Sequence, residues 1–152
     1  MTLYQVLLYV HIVCAVIWVG GAFYLQVLAV LTTRSTDPTD LPKLARQAQF
    51  IGTFVFIPAA LLLFVAGAAM VLQAWNFGQL WIAVSVALWV LSAVAGAAYL
   101  GPRSRRVAQL FEAEGPESVA AREQLRKLFL VSRLELVSFA VIIALMVFKP
   151  GV

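Results

Sequence analysis

Charged residues are scarce in this sequence. Only 12% of the 152 residues are charged, whereas 63% are hydrophobic, and the mean hydropathy is +0.96. Soluble domains contain about 45–50% apolar residues, so the composition excludes a soluble globular protein. Cysteine is almost absent as well: Cys14 is the only one, which excludes an internal disulfide.

Sequence patterns of common soluble functions are also missing. There is no glycine-rich phosphate loop, no paired-cysteine metal site, no internal repeat and no low-complexity tract. The net charge of +4 comes from basic residues beside apolar runs, where membrane topology explains them better than contact with nucleic acid. We therefore expect the lipid bilayer as a partner, and no nucleic acid.

The apolar residues fall into four long runs. A helix that crosses the hydrocarbon core needs about 20 apolar residues, a length reached at 4–31, 50–73, 80–100 and 130–148. The first run follows no basic residue and is too long for a signal-peptide core, so we expect it to be retained. The sequence predicts an all-α polytopic membrane protein, an antiparallel four-helix transmembrane bundle that forms a single domain over 1–152.

The basic residues indicate the orientation of this bundle. The predicted loops 32–49 and 101–129 hold three and six of the eleven Lys and Arg residues. Four spans place both loops on one side, which the positive-inside rule makes cytoplasmic. We expect both termini to be extracytoplasmic, in a bacterial inner (plasma) membrane.

Proline and glycine predict local departures from straight helices. Pro58 lies in the middle of the second span and predicts a kink between Phe54 and Pro58. Gly67 allows a neighbouring helix to approach closely. The pair at 101–102, Gly-Pro, is expected to interrupt the third helix, and the pair at 115–116 to separate two helical arms.

His11 is the only histidine, and it lies within the first span. With Cys14, Trp18 and Gly21 it forms a stripe at steps of three and four residues, typical of one helix face. An imidazole facing lipid is costly, so the stripe faces protein, ligand or water. His11, about 10 Å below the outer surface, fits an axial haem ligand in a helical bundle. The alternative is a structural histidine bonded to a serine or a backbone carbonyl.

Further ligands are needed for either a haem or a copper site. The second axial ligand would be Met70, Met146 or His11 of another subunit across a two-fold axis. Cys14 with Met70 or Met146 offers a soft set for Cu(I). Alternatively, Cys14 is a small buried hydrophobe.

Aromatic residues follow His11 along the first span. Trp18, Phe23 and Tyr24 would flank a flat ring such as a porphyrin. Aromatic residues at this spacing also serve as packing groups and as anchors at the membrane interface.

Polar residues also lie in the cytoplasmic halves of the predicted first and fourth spans. Arg133 and Glu135 are two apart and point to nearly opposite sides of a helix. Arg133 is expected to extend to the cytoplasmic headgroups. Glu135 is expected to face the bundle, where it pairs with Arg46 or relays protons, and we favour the pair. Gln26 has no role that the sequence indicates.

Several motifs are distributed over nearly the whole chain. They are His11-x6-Trp18-x-Gly20-Gly21-x-Phe23-Tyr24-Leu25, Arg46, Pro58-x8-Gly67, Trp81, Gly101-Pro102, and the terminal Leu145-Met146-Val147-Phe148-Lys149-Pro150. Together they resemble small four-helix membrane proteins related to CopD-like copper-resistance proteins and HemJ-like protoporphyrinogen oxidases. The resemblance is greatest to a neighbouring integral-membrane family without an assigned function.

The resemblance implies a haem b site, because the first-span histidine of HemJ-like proteins corresponds to His11. This chain departs from the HemJ-like pattern at two places that bear on the oxidase reaction of that family. Where that family reads Tyr-Leu-Pro-Arg this chain has Tyr24-Leu25-Gln26-Val27, and 83–86 lacks the family's lysine. What remains implied is a haem or porphyrin site.

These observations predict an integral membrane, haem b- or porphyrin-binding redox protein that self-associates through seams of small residues. His11 is the axial ligand, and a membrane redox partner is expected. The alternatives are a copper or small-solute binding or transport protein, and a non-catalytic subunit of a membrane complex. Whether the protein is an enzyme is left open.

Overall fold

The computed structural model describes residues 2–151, which form four long helices. They are α1 (Leu3–Thr33), α2 (Asp40–Ala74), α3 (Leu80–Glu114) and α4 (Val119–Phe148). Each is long and apolar enough to span a membrane, and residues 2–151 contain no strand. The predicted all-α membrane architecture is confirmed.

Contacts between helix ends show that neighbouring helices are antiparallel. At one end of the bundle, which we call the aromatic end, Tyr4 of α1 accepts a hydrogen bond from Trp75, the residue directly after α2, with 3.3 Å between Oη and Nε1. At the opposite end, which we call the basic end, Arg46 of α2 lies 3.6 Å from Glu112 of α3. Helix α1 packs against α2 and α4, and α3 packs against α4.

The basic end is far more helical than predicted. Within the two predicted loops, only 34–39 and 115–118 are non-helical. A hydropathy window registers the apolar core of a helix and misses its amphipathic continuation, because polar residues on the exposed face lower the mean. Helix α2 therefore begins before its apolar run, and helix α3 ends beyond its apolar run.

Helix α3 continues through Gly101-Pro102, so the predicted interruption is wrong. The chain accommodates Pro102 by widening the preceding turn into a π-helix at Gly96–Leu100, because proline lacks a backbone N–H and its ring collides with a regular turn. Pro58 follows a similar π-helix, Gly52–Phe56, which lies where the kink is predicted. Gly115, with φ of 83°, ends α3, and this confirms the predicted separation of the last two helical arms.

The extended helices enclose an apolar core at the basic end. Its buried members come from all four helices: Ala29, Leu44, Ala45, Val107, Phe111, Ala121, Leu125, Leu128 and Phe129. The ion pair between Arg46 and Glu112 lies on the exposed surface around this core. The predicted pair between Arg46 and Glu135 is therefore wrong, because Arg46 belongs to the helical extension and Glu135 to the apolar part of α4.

The turn between α1 and α2 is ordered by local hydrogen bonds. The Asp37 carboxylate accepts from the hydroxyl of Thr39 at 2.7 Å and from its backbone N–H at 2.8 Å. These bonds stabilise the ionised carboxylate and so lower the pKa of Asp37. The hydroxyl of Ser35 donates to Asp40 at 2.6 Å, at the start of α2.

We expect Leu44→Ala to destabilise the bundle by about 2–5 kcal/mol, because it leaves a cavity in the core at the basic end. Leu44 is 2% exposed. Unfolding free energies in mixed micelles would measure the change. Val119→Ala is the control, because Val119 is 79% exposed. Equal effects of the two changes would show that the basic end has no tightly packed core.

Candidate ligand site at His11

The His11 side chain makes one specific contact with helix α2. Its Nδ1 lies 2.8 Å from the backbone oxygen of Leu63. A carbonyl oxygen only accepts hydrogen bonds, so we assign the proton of the neutral imidazole to Nδ1. Nε2 then carries a lone pair, and it has no hydrogen-bond partner among residues 2–151. This nitrogen is the candidate ligand atom.

Gly67 makes room for the imidazole. A Cβ added at Gly67 would lie 3.0 Å from Cε1 and 3.1 Å from Nδ1 of His11, closer than ordinary van der Waals contact. Gly67 follows Leu63 by one helical turn, so the imidazole lies against a turn of α2 without a side chain in the way. The position of His11 therefore depends on a missing side chain on the neighbouring helix.

The stripe that contains His11 faces the bundle, but packing along it is uneven. Trp18, Ala22 and Leu25 are buried, whereas Leu7 and His11 are only half-buried. All of these positions lie on one face of α1 by helical spacing. This face of α1 is thus less covered around His11 than from Trp18 onward.

Three buried polar atoms of helix α3 and the turn before it lack partners among residues 2–151: Gln79 Oε1, Trp81 Nε1 and Trp89 Nε1. Trp89 stacks on Phe64 of α2 with ring centroids 4.3 Å apart, and Phe64 adjoins Leu63. Buried donors are nearly always satisfied in native structures. The two indole N–H groups would be satisfied by a ligand that carries carboxylate or carbonyl oxygens, or by water.

Two of the predicted sulfur ligands, Cys14 and Met70, are buried and lie at different heights along the bundle. Cys14 lies one turn from His11 toward the basic end, and Met70 lies about one turn beyond Gly67 toward the aromatic end. The Cα positions of the two residues are about 9 Å apart along the bundle axis, and their side chains lean toward each other because the two helices are antiparallel. Met146 packs against a different cluster, with Trp81.

Residues 2–151 contain no group of three His, Cys, Asp or Glu side chains that could hold a metal ion. The described residues therefore offer His11 as a single nitrogen ligand, with Cys14 and Met70 each about one helical turn away along the bundle.

The three predicted ring-flanking residues have different surroundings. Trp18 is buried, and its ring centroid lies 4.8 Å from that of Phe139. Phe23 and Tyr24 are 61% and 58% exposed, on the outer surface of the bundle. They lie about 18 Å along α1 from His11. Within one chain the structure does not bring these three residues together around the imidazole.

A second polar group lies nearer the basic end, and sequence reasoning gave its central residue no role. Gln26 is buried, and its Nε2 donates to the backbone oxygen of Phe129 at 3.0 Å. Its Oε1 accepts from Nε of Arg133 at 3.2 Å. A buried amide needs partners, and this requirement was the signal in the sequence. Glu135 is half-buried and makes no hydrogen bond or ion pair within residues 2–151.

We expect Gly67→Ala to displace the imidazole and weaken its bond to Leu63, because the new methyl group occupies the space of the ring. His11 is the only histidine, so histidine labelled with ¹⁵N gives signals from one side chain. NMR in micelles should show protonated Nδ1 in the wild type and a mixture of tautomers in Gly67→Ala. Gly20→Ala is the control, since nothing lies within 4 Å of a Cβ there. A wild-type spectrum with protonated Nε2 would contradict the assignment.

Comparison with known proteins matches the chain to a family model over nearly its whole length. No curated protein and no solved structure matches the chain, and the resemblance to CopD-like and HemJ-like proteins gains no support. Residues 5–150 match the family described as "Predicted integral membrane protein (DUF2269)". Since the match covers nearly the whole sequence, the chain belongs to this DUF2269 family of predicted integral membrane proteins.

Proposed function

We propose that the protein binds haem b within the membrane, with Nε2 of His11 as an axial ligand. The observation that carries this proposal is the bond from Nδ1 of His11 to the Leu63 carbonyl. Histidines that bind metals almost always donate their other N–H to a carbonyl, a carboxylate or water. Such a bond fixes the tautomer, holds the ring and makes Nε2 more basic.

The surroundings of His11 fit such a ligand in two respects. His11 is half-buried on a bundle-facing stripe, so part of the imidazole remains accessible. The indole N–H of Trp89, whose ring stacks on Phe64 beside Leu63, is a buried donor without a partner among residues 2–151, and a porphyrin carboxylate would satisfy it. Haem b, when bound, supplies one-electron redox chemistry at iron, and its potential depends on the axial ligands.

The second axial ligand would be Met70 of the same chain or His11 of a second copy. Met70 lies on α2, as do the two residues against which His11 packs. In a symmetric pair, the exposed rings of Phe23 and Tyr24 would be available to the contact between copies. The pair is part of the proposal, as is a membrane redox partner.

Copper binding is the alternative that a specific observation favours. Cys14 and Met70 are both buried and lie on either side of His11, and Cu(I) prefers thiolate, thioether and imidazole ligands. A copper site would use His11 with one or both of these sulfur atoms. A role as a non-catalytic subunit predicts that neither ligand binds to the isolated protein.

We expect the purified wild type, supplied with haem, to show a Soret band that His11→Ala lacks. Met70→Leu should shift the band and the reduction potential if Met70 is the second ligand, and should leave both unchanged if a second His11 is. Cys14→Ser is the control that should retain the wild-type spectrum. Absorption spectra and a redox titration measure these changes.

The same variants distinguish the alternatives. A Soret band that persists in His11→Ala would overturn the haem proposal. Cu(I) binding that depends on Cys14 or Met70, with no haem bound by the wild type, would favour the copper site. If the folded protein binds neither haem nor Cu(I), the remaining alternative is a non-catalytic subunit of a membrane complex.

A further inference from the structure

A groove lies between α1 and α4 near the basic end. Its volume is about 290 Å³, and it is lined by Gln26, Val27, Val30, Leu31, Arg133 and Leu136. Four of these side chains are aliphatic, and the two polar ones are hydrogen-bonded to each other. The groove therefore joins an apolar wall to a single cationic group.

The guanidinium in this groove is held in position but not neutralised. Arg133 donates from Nε to Gln26, which is 7% exposed and bonded in turn to the Phe129 carbonyl. Neither Nη atom of Arg133 has a hydrogen-bond partner, and Arg133 has no ion pair, within residues 2–151. Glu135 is two residues away and points to nearly the opposite side of α4. The free N–H groups are available to an anion.

The depth of the Arg133 guanidinium in the membrane indicates which anion it meets. The hydrogen bond between Tyr4 and Trp75 is of the kind found at a membrane interface. Gln26 lies 22 positions after Tyr4, or about 33 Å along α1, and the hydrocarbon core is about 30 Å thick. Arg133 thus meets Gln26 at the inner boundary of the hydrocarbon, where the phosphates of the basic-side leaflet lie.

We infer that the groove between α1 and α4 binds an anionic phospholipid of the basic-side leaflet, with its phosphate at the Arg133 guanidinium. An arginine fork matches phosphate oxygens in geometry as well as charge. Leu136 continues the groove toward the membrane centre, beside the path of an acyl chain. Val27 and Val30 line the groove from α1, beyond Gln26 toward the basic end, where they border the lipid headgroup rather than an acyl chain.

This inference is tested on the full-length protein in mild detergent. Native mass spectrometry, with phosphatidylglycerol and phosphatidylcholine of identical acyl chains, gives the affinity for each lipid. We expect phosphatidylglycerol to bind more tightly to the wild type. Arg133→Gln should weaken its binding about tenfold, the effect of one charge-assisted hydrogen bond, and should reduce the preference over phosphatidylcholine.

Two further variants separate a specific site from general charge. Arg126→Gln removes an exposed charge on α4 outside the groove, and less than a twofold change is expected. Val30→Trp fills the groove while Arg133 remains, and should weaken lipid binding as Arg133→Gln does. Equal losses in Arg126→Gln and Arg133→Gln, or wild-type binding in Val30→Trp, would overturn the inference.

Discussion

The close contact between α1 and α2 is the most extensive helix pairing in the bundle. It interlocks in both directions. His11 of α1 lies against Gly67 of α2, and Phe56 of α2 lies against Gly21 of α1, where an added Cβ would come within 2.7 Å of the Phe56 ring. Each helix thus receives one large ring where it has no side chain. Because lipid gives little hydrophobic drive for helix association, such close packing has to hold the pair together.

The prolines influence this contact through the turns that precede them. Phe56 is the last residue of the π-helix before Pro58, so the wide turn helps to set where its ring meets α1. Helix α3 has the same order of features, with a π-helix ending two residues before Pro102. In a bilayer every freed backbone group needs an internal partner. A widened turn inside a continuous helix meets that requirement, whereas a true break would expose backbone to lipid.

Hydropathy and helical spacing were sufficient for some features and not for others. The four spans and the inward direction of the His11 stripe follow from composition and periodicity, because both are local properties. Whether Arg46 pairs with Glu112 or Glu135 depends on how far α2 and α3 extend, and their amphipathic ends resemble loops in composition. The sequence also could not indicate Leu63 as the partner of His11, since this hydrogen bond uses a backbone oxygen, which every residue has.

The two halves of the bundle differ in how their polar groups are satisfied. Toward the basic end, Gln26 uses both ends of its amide, to Phe129 and to Arg133, beside a well-packed core. Toward the aromatic end, His11 uses one nitrogen and leaves the other free, beside indole donors without partners. A buried polar group left unpaired costs stability that a ligand can restore. The polar groups near His11 are therefore suited to a ligand inside the bundle, whereas Gln26 and Arg133 join α1 to α4 and leave only the Nη groups of Arg133 free.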